Sequence, residues 1–288
     1  MTIHHPYREA SVPWLRGNLH AHTTMSDGDR TPQDLIDQYA ARGYDFLAIS
    51  DHDMITDATA YNARGMTLIP ANEVTINGPH TVHIGATIVV SPDPNRQAVL
   101  DGVANDAGFA FMAHPSWERH FNHCPQESLE SLRGYTGIEI VNGITRWHPG
   151  SNVATDRWDR VLSQGRRVWG FANDDAHHPG DEGVAWNMVQ SGSRDATAIV
   201  QALRAGSFYA STGVCIESIR VAGNTIAIST RNAQRIVASI DYARRIAQVD
   251  AAEMVYTVPS GLELSYVRFE CFGAGEAMAW TQPFFVSK

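Results

Sequence analysis

Short apolar runs alternate with segments of helical period from residue 14 to about residue 206. Short apolar runs bounded by polar turns are typical of strands buried on both faces, and their alternation with helices is typical of an α/β fold. The pattern predicts strands at residues 15–20, 45–50, 66–70, 81–87, 108–113, 137–141, 168–172 and 185–190. The main part of the chain is therefore expected to be an α/β structure.

Helix-start signals follow several of these strands. Thr31 followed by Pro32 predicts an N-cap and a first helical turn, and the helix is expected to run to Ala41. Similar signals predict a helix near residues 96–105 and further helices opening after residues 125, 151 and 193. Seven or eight strand–helix units of this kind predict a closed or nearly closed barrel.

The pattern changes after Gly213. From there, alternation of apolar and polar positions with glycine and asparagine turns predicts antiparallel strands, for example around Ile226–Ser229. We therefore expect two parts, a barrel over residues 1–213 and a small β-sandwich-like appendage over residues 214–288.

Composition and charge exclude several classes of protein. The 288 residues carry a formal net charge of −9, which disfavours binding to duplex nucleic acid or to an acidic membrane surface. Lys288 is the only lysine, which excludes a P-loop lysine and a lysine Schiff base. Three widely spaced cysteines argue against a disulfide framework or a zinc ribbon. The N-terminal residues do not resemble a secretion signal, and no apolar run is long enough to span a membrane, so a cytoplasmic location is expected.

Polar clusters follow the predicted strands, each close to the point where a strand ends. Because the C-terminal ends of barrel strands meet at one mouth, we expect their side chains to converge there. Imidazole and carboxylate ligands suit Zn, Mn or Fe, and so many donors exceed the needs of one ion, which predicts a site for two or three divalent metal ions. The clusters supply the candidate ligands His20, His22, Asp27, Asp51, His52, Asp53, Glu73, His83, His114, Asp175 and His177.

Loops after the fifth and sixth predicted strands carry further polar residues. Arg119 follows the His114-Pro115 pair, and Arg146 and His148 follow the sixth strand. A guanidinium at the mouth can hold a phosphate through two hydrogen bonds. These three residues are therefore predicted to contact the substrate.

Four segments together resemble the polymerase and histidinol phosphatase (PHP) superfamily over about residues 15–210. They are the runs at residues 17–28 and 47–53, the Ala113-His114-Pro115 triplet and the Asp174-Asp175-Ala176-His177 run. The resemblance implies a distorted (β/α)7 TIM-like barrel with a dinuclear or trinuclear metal centre. The ending at residues 206–213, followed by the β-rich tail, looks closest to the branch that includes carbaryl hydrolases.

The resemblance also implies a distribution of ligands among the ions. His20, His22, Glu73 and Asp175 would hold the first ion, and Glu73 would bridge to a second ion held also by His83 and His114. Asp27, His52 and His177 would hold the third ion. Histidinol-phosphatase-type members have a histidine at the position of Asp27.

The resemblance predicts a metal-dependent phosphoesterase. The substrate is expected to be a nucleotide or sugar phosphate, with a 5'-terminal nucleotide as a further candidate, attacked by a hydroxide between two ions. Catalysis is placed at Glu73, Asp175 and His177. The alternative is a carbamate or carboxylic ester hydrolase that uses the same centre. A non-catalytic metal-binding module is a third hypothesis.

Overall fold

Strands and helices alternate through the first two thirds of the chain, and strands dominate the rest. The structure, a computed structural model, describes residues 1–261 and 263–287. The strands are β1 (Thr2–His4), β2 (Trp14–Asn18), β3 (Phe46–Ile49), β4 (Thr67–Val74), β5 (Thr81–Ile84), β6 (Phe109–Met112), β7 (Gly137–Asn142), β8 (Trp169–Asn173), β9 (Trp186–Gln190), β10 (Phe208–Ser211), β11 (Ile216–Ala222), β12 (Thr225–Thr230), β13 (Arg235–Ile240), β14 (Arg244–Val249), β15 (Glu253–Thr257), β16 (Tyr266–Phe272), β17 (Met278–Thr281) and β18 (Phe284–Ser287). All eight strands predicted for the first part of the chain are present.

The helices also begin near the predicted signals. They are α1 (Pro32–Ala41), α2 (Arg96–Ala104), α3 (Gln126–Ser131), α4 (Thr155–Ser163) and α5 (Ala196–Ala205). The Thr31 hydroxyl accepts a hydrogen bond from the backbone N–H of Asp34, which caps α1 as its sequence predicts. Within the described residues, no helix has the length and apolar character needed to cross a bilayer.

A mixed sheet forms the centre of the molecule. β2, β3 and β4 pair in parallel, β5 runs antiparallel between β4 and β6, and β6, β7 and β8 are again parallel. On the other side of β2 the sheet continues through the antiparallel strands β9 and β10. The prediction of an α/β fold is confirmed.

Within the described residues the regular ladder ends at β8, and an isolated parallel bridge between Ala21 and Ala176 joins the segments that follow β2 and β8. Side-chain amides span the rest of the gap. Asn187 of β9 donates to the Ala172 carbonyl and accepts from its N–H, and Gln282 makes the same pair of bonds with Gly170. A buried amide can replace one rung of a ladder in this way, since it carries both a donor and an acceptor.

The C-terminal strands extend the central sheet. β17 pairs with β10, and β16 pairs with β17, β18 and β13. A second sheet, β11–β12–β15, covers an apolar core of residues such as Ile228, Ile236 and Phe269. β1 pairs with β18, so the first residues of the chain belong to this C-terminal layer. The division into units at residue 213 remains a prediction.

A buried ion pair joins the C-terminal layer to the central α/β region. Arg268 of β16 donates from Nε and Nη2 to the two carboxylate oxygens of Asp159 in α4, at 2.7 and 2.5 Å. The Tyr266 hydroxyl donates to the same carboxylate at 2.6 Å. Both charged side chains are almost completely buried, so this contact fixes the position of α4 against the C-terminal strands.

Candidate metal centre

Two short motifs at neighbouring strand ends are paired with each other. His20 and His22 follow β2, and Asp175 and His177 follow β8. The His22 N–H donates to the Ala176 carbonyl and the Asp175 N–H donates to the His20 carbonyl, both at 2.9 Å. This parallel bridge brings the two pairs of polar side chains to one place without a regular ladder.

The first donor group consists of His20, His22, Glu73 and Asp175, all buried. The Nε2 atoms of His20 and His22 each lie 3.1 Å from Oδ1 of Asp175. The same nitrogens lie 3.3 and 3.5 Å from the Glu73 carboxylate. The structure therefore brings these four predicted ligands together.

The second donor group surrounds the same carboxylate. Nε2 of His114 lies 3.2 Å and Nδ1 of His80 lies 3.1 Å from Oε1 of Glu73. His80, His114 and His123 could also hold an ion together. Nε2 of His123, however, already accepts the backbone N–H of His80 at 3.0 Å, which leaves His80 and His114 as the donors that face Glu73.

The predicted grouping of His83 with Glu73 and His114 is wrong. His83 pairs across the ladder with Asn72 and not with Glu73, so its side chain lies on the opposite face of β5. Its nearest charged partner is Asp106, 3.5 Å away. His80 takes the expected place because β5 is antiparallel to β4, which puts the start of β5, and not its end, at the mouth.

The third donor group lies at the rim. Oδ2 of Asp27 lies 3.2 Å from Nε2 of His52, and Oδ1 lies 3.4 Å from Nε2 of His177. Nδ1 of His22 lies 3.8 Å from the same aspartate, so His22 stands between the first and third groups. Asp27 is half-exposed, in contrast to the deeply buried Glu73.

Buried polar side chains orient these donors from behind. Oε1 of Glu139 accepts from Nδ1 of His20 at 3.0 Å, and Oε2 accepts from the His114 N–H at 2.8 Å. Asn142 donates both to Glu139 and to Oδ2 of Asp175. A proton held on Nδ1 leaves the Nε2 lone pair of His20 directed at the first group. Glu139 lies within β7 with no motif around it, so the sequence alone gives little indication of this positioning role.

The pKa values show how the carboxylates affect the imidazoles. Burial alone would lower the pKa of His52 and of His177, but hydrogen bonds to Asp27 raise them to about 10 and about 9. Burial alone would raise the pKa of Glu73, yet His20 and the neighbouring imidazoles hold it well below its usual range. The cluster therefore stabilises positive charge at its centre, which is what a divalent cation brings.

The donor set fits divalent metal ions. Nε2 of His20, Nε2 of His22, Oε2 of Glu73 and Oδ1 of Asp175 are buried and have no hydrogen-bond partner within the described residues. Two ligands bound about 2.1 Å from one ion at 90–110° lie about 3.0–3.4 Å apart. The corresponding separations here are 3.1–3.5 Å. The spacing of these four atoms therefore suits binding to one shared cation better than hydrogen bonding between pairs of them.

A cavity of about 370 Å³ opens directly onto the donors. Its walls include all three groups through Asp27, Glu73, His114 and Asp175, and Trp117 adds an apolar wall. A cavity of this size is suited to a small molecule.

The three predicted substrate contacts lie at different distances from this cavity. His148 lines it, whereas Arg119 lines a neighbouring cavity. Arg146 is exposed and stacks on Trp147, with its guanidinium carbon 4.9 Å from the ring centre. Only His148 of the three is therefore positioned at the metal centre itself.

Comparison with known proteins finds one partial sequence relative. The chain is 37% identical over 91 residues to a 3',5'-nucleoside bisphosphate phosphatase of Chromobacterium violaceum. The match spans 30% of this chain and 31% of that protein, so most of the relative's length lies outside it. No protein-family model matches the chain.

Comparison with a solved structure shows the fold of the whole chain. A two-domain protein of Bacteroides vulgatus, described as containing a predicted PHP-like metal-dependent phosphoesterase, aligns with a TM-score of 0.56 at 16% identity, over 98% of both chains. An amidohydrolase of Chromobacterium violaceum aligns with a TM-score of 0.43 at 18% identity, over 58% of this chain and 89% of that chain. The chain as a whole therefore shares the fold of the Bacteroides protein.

Proposed function

We propose that this chain is a metal-dependent phosphoesterase of the PHP superfamily that acts on a small phosphorylated substrate. The observation that carries the proposal is the sharing of Glu73 among donor groups that all face one cavity. A carboxylate shared in this way suits ions held a few ångströms apart. The partial likeness to a nucleoside bisphosphate phosphatase supports a phosphorylated substrate, and a nucleotide is the first class to test.

Two or three divalent ions are proposed for the centre, with Mn, Zn and Fe as candidates. The first would be held by His20, His22, Glu73 and Asp175, and the second by Glu73, His80 and His114. Asp27, His52 and His177 would hold the third. When bound, such ions lower the pKa of water and neutralise charge on phosphoryl oxygens.

The protein's own residues give this chemistry its geometry. Glu139 keeps a proton on Nδ1 of His20 and so directs the Nε2 lone pair inward. Asn142 fixes one oxygen of Asp175, which leaves the other free for the cavity. Glu73, Asp175 and His177 are proposed to act at the reacting group, and Trp117 shields one side of it from water.

Turnover of two chromogenic esters tests this proposal. The Mn-reconstituted protein would be assayed with p-nitrophenyl phosphate and p-nitrophenyl acetate, which release the same chromophore, with His20→Ala as the blank. We expect phosphate cleavage that the substitution abolishes. Acetate cleavage alone would contradict the proposal and favour the carbamate or carboxylic ester hydrolase.

A further inference from the structure

A second cavity adjoins the metal centre. It has a volume of about 410 Å³ and lies between two loops, and its walls are Trp117, Glu118, Arg119, His120, His148 and Pro149. Trp117 and His148 line both cavities. A ligand that fills the first cavity can therefore extend into the second along these two shared side chains.

Trp117 connects the metal centre to the second cavity, since it lines both cavities. Its ring centre lies 5.1 Å from that of His114 and 5.8 Å from that of His80, the imidazoles that face Glu73. Packing against His123 at 4.9 Å fixes the indole further. Trp117 thus packs directly against imidazoles of the metal centre and also forms a wall of the second cavity.

The loop that carries these residues is held in place from outside the centre. Arg157 of α4 donates from Nε to the Ser116 hydroxyl and from Nη1 to the Cys124 carbonyl, both at 3.0 Å, and from Nη2 to the Phe121 carbonyl. Glu118 adopts a φ of 75°, a left-handed conformation that costs energy in a residue other than glycine. The three bonds made by Arg157 maintain this conformation and so preform the cavity.

The polar groups of the second cavity favour an anion. Arg119, His120 and His148 are exposed, and their side chains have no hydrogen-bond or ion-pair partner in the described part of the chain. The one acidic wall residue, Glu118, instead accepts from Nδ1 of His123 at 3.0 Å. In a chain with a net charge of −9, an unpaired guanidinium beside two imidazoles is a local site for negative charge.

We propose that the second cavity binds a second anionic group of the substrate, such as a phosphate, while the scissile phosphate occupies the first cavity. This inference rests on the proposed phosphoesterase function and specifies its substrate class as small molecules with two anionic groups. Arg119 is the specificity-determining residue, and Trp117 packs against the part of the substrate that joins the two groups.

Steady-state kinetics with a matched pair of nucleotides tests the inference. Adenosine 3',5'-bisphosphate and adenosine 3'-monophosphate differ only in the second phosphate. We expect the wild-type kcat/KM to be at least tenfold higher for the bisphosphate. Arg119→Gln removes one charge-assisted contact and should reduce that advantage about tenfold, mainly through a higher KM for the bisphosphate.

Arg220→Gln is the matched control, because Arg220 is an exposed arginine on β11 in the C-terminal layer. This substitution should leave kcat/KM unchanged for both the bisphosphate and the monophosphate. Equal wild-type kcat/KM values for the two nucleotides would overturn the proposal of a second anion site. So would an Arg119→Gln variant whose kcat/KM falls equally for both nucleotides. In either case, cleavage of p-nitrophenyl phosphate would leave the phosphoesterase function intact, whereas a wild-type protein that cleaves no phosphomonoester would refute that function and this inference with it.

Discussion

Replacing Glu139 by glutamine tests whether the buried residues behind the centre control metal binding. Each carboxylate oxygen of Glu139 accepts two hydrogen bonds. Oε1 accepts from His20 and Asn173, and Oε2 accepts from the His114 N–H and Asn142. Glutamine has nearly the same shape but only one oxygen, so its NH₂ group must face two donors in either orientation.

The magnitude follows from that conflict. A buried donor left without an acceptor costs about 1–3 kcal/mol, so two of them should lower the free energy of unfolding by roughly 2–6 kcal/mol before relaxation. If the NH₂ group faces His20, that imidazole must accept on Nδ1 and carry its proton on Nε2, which prevents Nε2 from binding a metal. Loss of such an orienting partner lowers metal affinity about 10–100-fold.

Isothermal titration calorimetry with Mn²⁺ or Zn²⁺ on chelator-treated protein measures the affinity, and urea unfolding measures the stability. Glu127→Gln is the matched control, because Glu127 is exposed in the first turn of α3. The control should behave as wild type in both assays. A Glu139→Gln variant with wild-type metal affinity and wild-type stability would refute the reasoning.

Four further substitutions test other parts of the structure. Asp159→Asn leaves the buried Arg268 guanidinium without its countercharge and should lower the free energy of unfolding by about 3–5 kcal/mol in urea, whereas an unchanged midpoint would show that the pair is dispensable. Burial alone would raise the pKa of Asp106, but hydrogen bonds from neighbouring N–H and hydroxyl groups lower it from 3.8 to about 2. The ionised Asp106 side chain therefore stabilises the folded state fully above pH 4, and this contribution is lost as the pH falls towards 2. Asp106→Asn should therefore remove about 1 kcal/mol of that pH dependence, after allowance for screening, in unfolding curves measured between pH 5 and pH 2. His80→Ala should lower the bound metal measured by mass spectrometry of the metal content and His83→Gln should not, and the reverse result would restore His83 as the ligand.

Hydrophobic periodicity was sufficient to predict the strands and helices of the α/β part. Segments such as Phe109–Met112 are apolar throughout because both faces of the sheet are covered, and such runs are easily recognised. The convergence of His20 and Asp175 was also predictable, since both follow strands whose C-terminal ends meet at one mouth. These features depend on local sequence and on a general rule of topology.

Strand direction was not predictable from the same pattern. A short strand such as Thr81–Ile84 has the same composition whether it runs parallel or antiparallel to its neighbour. The direction decides which end of the strand lies at the mouth, and therefore whether His80 or His83 faces Glu73. The error at this one position follows from applying the parallel-strand rule to an antiparallel strand.

Contacts between distant parts of the chain were also beyond sequence reasoning. Asn187 and Gln282 bridge the gap beside β8, although neither lies in a motif. Pairing of Thr2–His4 with the last strand joins the two ends of the chain. Arg157, which shapes the loop beside the metal centre, acts across 33 or more positions of sequence on Cys124 and Phe121. Such partners are set by tertiary packing and leave no local signal.

Turnover of p-nitrophenyl phosphate as a function of metal loading tests the central claim most directly. Chelator-treated protein would receive measured equivalents of Mn²⁺, and bound metal and initial rate would be determined on the same samples, beside Asp175→Asn. We predict no turnover without metal, a rate that rises with bound metal, and both reduced metal binding and loss of turnover in the variant. Full activity in the metal-free protein, or in an Asp175→Asn variant that binds no metal, would contradict the account.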